Sequence, residues 1–188
     1  MMKQSIVALL MSLLVSSLVQ AATVAGVDIP DSMDAGGKTL NLNGAGIRSK
    51  WLMDVYVGAL YLQEASQDGA AVVKADAPMA VKLHMVSGLV TSEKMKAATS
   101  EGFVNATGGN LAPIQASIDK FMAAFDEEIA ENDVFDLVYE PGKGVVVYKN
   151  EELVDTINGG MAFKEALFGI WLSDKPAQED LKAKMLGK

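Results

Sequence analysis

Two side chains in this sequence have the chemistry to hold an oxygen anion in an apolar setting. Arg48 closes the segment Gly44-Ala45-Gly46-Ile47-Arg48, and Tyr56 lies in the Val-, Leu- and Tyr-rich run that follows. A guanidinium offers a planar fork of N–H donors and stays charged, so it suits a carboxylate or a developing enolate. A phenol adds one O–H donor. In a dry pocket such donors act far more strongly than in water. Arg48 and Tyr56 are eight residues apart. On one unbroken strand that is ~26 Å, too far for both to touch one small group. They can meet only if the chain folds back near Arg48-Ser49-Lys50 and puts them on neighbouring strands.

Lys82 shares a strand face with His84, the single histidine and the only side chain titrating near neutrality without help. A lone histidine reads as structural, and it makes a zinc site of the usual type improbable. The methionines from Met33 onward can fill a core or line an adaptable cavity. Asp126, Glu127, Glu128, Glu131 and Asp133 read as a solvated helix end, because calcium-loop spacing is absent. No metal or cofactor is expected.

Composition narrows the function classes. The formal charge is −8, which argues against nucleic acid and against electrostatic attachment to an anionic membrane. There are no cysteines, so thiol chemistry is excluded and a core without disulfides must hold the fold. Residues 1–21 have a short positive start, a mostly apolar run and a Val19-Gln20-Ala21 end. That pattern predicts a cleaved signal peptide and a periplasmic or secreted product. No later segment reads as a membrane span, and residues 22–188 read as one domain, expected to be a monomer.

The elements that must position the candidates follow from periodicity. Residues 31–38 read as a turn or loop, 39–43 as a strand with one wet face, and Gly44 and Gly46 allow a bulge. Residues 55–62 read as a buried strand and 79–85 as an alternating one. Thr91 or Ser92 can cap a helix that runs to about Asn105, with Gly108-Gly109 ending it. A second helix follows Pro113, with Ile114, Ile118, Phe121, Met122 and Phe125 on one stripe. Residues 134–139 and 144–148 form a predicted hairpin, and 153–157 another strand. An amphipathic helix is predicted over 161–171 and a short last helix from Pro176 to Leu186. This order predicts an α+β domain: an antiparallel sheet with helices packed on one face.

These segments resemble the chalcone isomerase-like superfamily, in particular bacterial exported members related to plant chalcone isomerases and plastid fatty-acid-binding proteins. The resemblance rests on GAGIR followed by VYVGALYL, on KLHMVSGLVTSEKM over 82–95, and on the Ala-Leu-x-x-Ile-Trp helix with its Pro-x-x-x-x-Leu-Lys tail. It implies an open-faced sandwich. By resemblance, Arg48 takes the place of an arginine that polarises the carbonyl in the isomerases and holds the carboxylate in the fatty-acid binders. Tyr56 falls where the isomerases have threonine and the binders tyrosine. Lys82 falls on a cleft-lining lysine, and Thr91 where the isomerases place an active-site tyrosine. The short Thr91 side chain, and the lack of a counterpart near residues 159–163 for the patch that grips flavonoid hydroxyls, count against isomerase chemistry. The resemblance therefore implies a non-catalytic protein that binds a fatty acid or similar apolar carboxylate, or a carbonyl ligand. The rival is an intramolecular lyase or other enolate-type isomerase using Arg48, Tyr56, Lys82 and Thr91. A third reading is a partner-binding protein with a vestigial pocket, which requires a packed interior beside Arg48.

Overall fold

The computed structural model describes residues 22–188, so the predicted signal peptide lies outside the described residues. A small hairpin comes first, β1 (Ala22–Val24) with β2 (Val27–Ile29). Seven strands then form one antiparallel sheet in strict chain order: β3 (Ser32–Ala35), β4 (Lys38–Lys50), β5 (Met53–Leu62), β6 (Met79–Met85), β7 (Val134–Glu140), β8 (Gly144–Lys149) and β9 (Glu152–Ile157). Helices are inserted between strands: α1 (Gly69–Lys74) after β5, then α2 (Ser92–Thr107) and α3 (Gln115–Met122) after β6. Two more close the chain, α4 (Gly160–Leu172) and α5 (Glu179–Met185). The predicted α+β class, with an antiparallel sheet and packed helices, is the observed one.

Strand alternation divides the core. Tyr56, Leu60 and Leu62 of β5 face the helices in the larger apolar cluster. Val57, Ala59 and Tyr61 face the other way and pack with Val27, Ile29, Leu40 and Val138 in a smaller one. The face without helices is therefore partly covered by the N-terminal hairpin, and the Tyr61 hydroxyl is fixed there by donating to the Pro30 carbonyl at 2.8 Å.

Three local expectations need correction. Residues 31–38 are not a loop: β3 pairs with β4 about a turn at Gly36-Gly37, both with positive φ. Strand β4 does not stop at Asn43 but runs on to Lys50, with its register shifted between Leu42 and Gly44. The shift leaves Asn43 outside the ladder, free to bond the Ser66 backbone and the Met185 carbonyl. Helix α4 is not amphipathic, since Phe163, Lys164 and all residues from Ala166 to Leu172 are buried. It runs between the sheet and α2, and a Cβ on Gly102 of α2 would come 2.8 Å from Ile170. The predicted α2 matches its observed form, with Thr91 as N-cap and Gly108 in the left-handed conformation at its end.

Candidate ligand-binding site

The fold-back occurs at Trp51-Leu52, slightly later than the sequence reading put it. It makes Arg48 and Tyr56 direct partners across the β4–β5 ladder. Residues opposite each other in an antiparallel pair project on the same face, so guanidinium and phenol emerge side by side beneath the helices. Both border a cavity of about 490 Å³, within the ~300–1,000 Å³ range of small-molecule sites. Its inner wall is apolar: Leu83 and Leu137 from the sheet, Met95 from α2, Phe121 and Phe125 after it, and Ile170 from α4. The vestigial-pocket reading required a packed interior here and loses that premise.

The local bonding of the pair sets what it can hold. The buried Trp171 of α4 donates from its indole Nε1 to the Tyr56 oxygen at 2.9 Å. A phenol oxygen that accepts this bond keeps its own hydrogen for another partner. Burial holds the Tyr56 pKa above its usual 10.0, with Trp171 and Arg48 pulling the other way, so the group is a neutral O–H donor at physiological pH. Arg48, the chain's single arginine, donates from Nη1 to the Ser49 carbonyl and to Gln178 Oε1, the latter at 3.1 Å. Gln178 also accepts from the Ser49 backbone N–H at 2.9 Å and donates to the Ile47 carbonyl at 3.3 Å. Among the described residues no carboxylate lies within ion-pair distance of Arg48. The head of the cavity is thus an arrangement of donors without an anionic partner, fitted to an acceptor such as a carboxylate, a carbonyl or an enolate.

The other two candidates lie elsewhere. Lys82 sits opposite Ala59 in the ladder, on the face away from the cavity, and pairs with Asp136 at 2.6 Å. It borders a recess of about 290 Å³ on that second face, with Glu140 and Tyr148. Its strand parity, shared with His84, was the signal that separates it from Tyr56. Thr91 is exposed and spends its hydroxyl on capping α2, accepting from the Lys94 backbone N–H at 3.3 Å. The residues that line the wall come one turn and more further on, at Lys94, Met95, Ala98 and Thr99. Gln178 and the polar role of Trp171 were missed. A tryptophan in an apolar helix reads as core filler, and its N–H has no visible target until α4 is laid across β5.

The chain belongs to the chalcone isomerase-like family, whose model matches residues 21–187. Among solved structures it is similar to a fatty-acid-binding protein of Arabidopsis thaliana, with a TM-score of 0.67, 18% sequence identity, and coverage of 86% of this chain and 92% of that one. At that identity the likeness describes the fold. No curated protein matches the chain.

Proposed function

We propose that this protein binds a fatty acid or similar apolar carboxylate, with Arg48 and Tyr56 gripping the head group and the acyl chain lying in the cavity, and that it acts by binding rather than catalysis. The observation that carries this is the pair of donors at the head: the Tyr56 hydroxyl, whose oxygen accepts from Trp171 and whose hydrogen is left for another partner, beside an arginine bonded to Gln178 instead of a carboxylate. A carboxylate accepts from both without leaving a charge unpaired, and the apolar wall takes the body of the ligand. Family membership and a fatty-acid-binding protein of the same fold agree with this reading. The pattern of residues 1–21 adds that the protein works outside the cytoplasm. Lys82 and Thr91 have no part in the proposed clamp, given where their side chains are engaged.

The test is lipid extraction from purified protein, followed by displacement of a fluorescent fatty acid, with Arg48→Ala alongside. Copurified fatty acid and saturable displacement that Arg48→Ala abolishes are expected. Equal and negligible recovery from both proteins would overturn the reading. The same two donors would also polarise a carbonyl, so the rival is intramolecular ring closure by conjugate addition, with Arg48 stabilising the enolate. Chalcone ring closure above the uncatalysed rate, lost in Arg48→Ala, would favour that rival.

A further inference from the structure

Large apolar side chains are strongly exposed at seven described positions, and four of them gather at one place: Trp51 (88% exposed), Leu52 (103%), Met53 (44%) and Leu89 (60%). Trp51 and Leu52 form the β4–β5 turn, Met53 opens β5, and Leu89 lies in the loop between β6 and α2. Trp51, Met53 and Leu89 also line the cavity. The exposed cluster therefore adjoins the cavity, three of its four members belonging to both. Trp51 holds a φ of +62°, a conformation that favours glycine or asparagine. A bulky aromatic kept at a strained position, projecting into water, points to a role for the side chain itself.

The charge along the cavity departs from the rest of the molecule. In a chain of net charge −8, the cavity lining carries Arg48, Lys50 and Lys94 against Asp54 and Glu101. Asp54 is further engaged by the Ser49 hydroxyl at 2.7 Å, and Lys94 ties down the Leu89 loop by donating to its carbonyl at 2.9 Å. A projecting tip of Trp, Leu and Met flanked by lysines matches a lipid–water boundary: the indole and leucine enter the acyl region, and the ammonium groups meet phosphates. A protein partner would more commonly face a groove or a flat surface than a tip as extended as Leu52.

We propose that this exposed cluster docks the protein on the surface of a phospholipid bilayer, so that the apolar ligand passes between membrane and cavity without crossing water. The cargo in this inference rests on the carboxylate-binding reading; the docking does not. The overall negative charge opposes long-range attraction to anionic lipid, so insertion of the tip carries the contact, and zwitterionic lipid suffices.

The chain contains two tryptophans, one buried at position 171 and one at the proposed contact, so it reports on itself. The experiment is flotation of the leader-free protein, without ligand, with phosphatidylcholine vesicles, and quenching of its tryptophan emission by the same lipid carrying brominated acyl chains. The wild type should float with the vesicles and be quenched. A Trp51→Ser, Leu52→Ser double variant should bind at least about tenfold more weakly, since two large apolar side chains no longer leave water on docking. Its folding, checked by circular dichroism, should match the wild type; Leu52→Ser alone, at a position outside the cavity lining, should weaken vesicle binding and leave displacement of a soluble fluorescent fatty acid unchanged. No flotation of the wild type, or flotation of the variant equal to it, would overturn the proposal. So would a cluster that is covered by a second copy of the chain, seen as dimerisation without vesicles that the double variant abolishes. Since vesicle binding is read without ligand, failure of the carboxylate reading would show separately, in the displacement assay.

Discussion

Arg48 is positioned by a neutral amide, and that determines what its replacement should do. Arg48→Ala removes the charge and the fork together, and fatty-acid affinity should fall at least ~tenfold in a displacement assay, as truncation of a charged hydrogen-bonding partner costs ~2–5 kcal/mol. Arg48→Lys keeps the charge but not the planar fork and should recover only part of that loss. Trp171→Phe keeps most of the ring and deletes the N–H that faces the Tyr56 oxygen. The Tyr56 hydroxyl can then accept from a ligand as well as donate. Acid affinity should drop by about fivefold, corresponding to ~1 kcal/mol for one hydrogen bond, and the preference for an acid over the matching alcohol should shrink. A purely structural role for Trp171 would lower both affinities alike. The sequence made Arg48 and Tyr56 legible as a pair, because their chemistry is unusual in an apolar run. It could not show Gln178 or Trp171 as their supports, since those contacts span about 115–130 residues.

Helix α4 carries the clearest conflict between local pattern and packed structure. Its Lys164 is wholly buried and donates from Nζ to the carbonyls of Val72, Val73 and Ala75 at 2.6–3.0 Å, closing the C-terminal end of α1. Those carbonyls have no partner within their own helix, so a lysine replaces the missing turn. Lys164→Met should destabilise the protein by ~1–3 kcal/mol in urea unfolding, as expected when buried carbonyl acceptors lose their donor. Burial pushes the Lys164 pKa down from 10.5 to about 8, against the pull of Glu165 and Asp76. The unfolded chain therefore binds more protons than the native one between about pH 8 and 10.5, and the lysine's share of stability rises with pH across that window. Wild type should gain over Lys164→Met between pH 8 and 10; a gap that is constant or narrows would contradict this assignment. Gly102 of α2 is the second sensitive point. A methyl there meets Ile170 at 2.8 Å, so Gly102→Ala should cost ~1–3 kcal/mol by overpacking and narrow the cavity it borders. Periodicity found α2 and α3, whose exposed faces are polar. It misjudged α4 because a helix buried all round has no polar face to mark its phase, and it passed over α1, which is six residues long.

For the whole molecule, strands paired in chain order allow a large antiparallel sheet to form from hairpins. The helices inserted between β6 and β7 and after β9 then close over one face and leave a hollow above Arg48 and Tyr56. Alternation in β6 and the hairpin of β7 and β8 were readable, which is why the α+β class was. The cover of the second face was not, because β1 and β2 are three residues each and acquire meaning only against Tyr61 and Val138. The existence of the hollow also lay beyond sequence, since the same phenylalanines and methionines would equally well fill a solid core. The central claim is that the donors at the head of this hollow select an anionic acceptor. Its most direct measurement is displacement of a bound fluorescent fatty acid by a medium-chain acid and by the alcohol of the same length, for wild type and Arg48→Ala. The acid should displace at least ~tenfold better than the alcohol from the wild type, and Arg48→Ala, still folded, should lose most of that preference. Equal displacement by acid and alcohol from the wild type, or an undiminished preference in Arg48→Ala, would contradict the account.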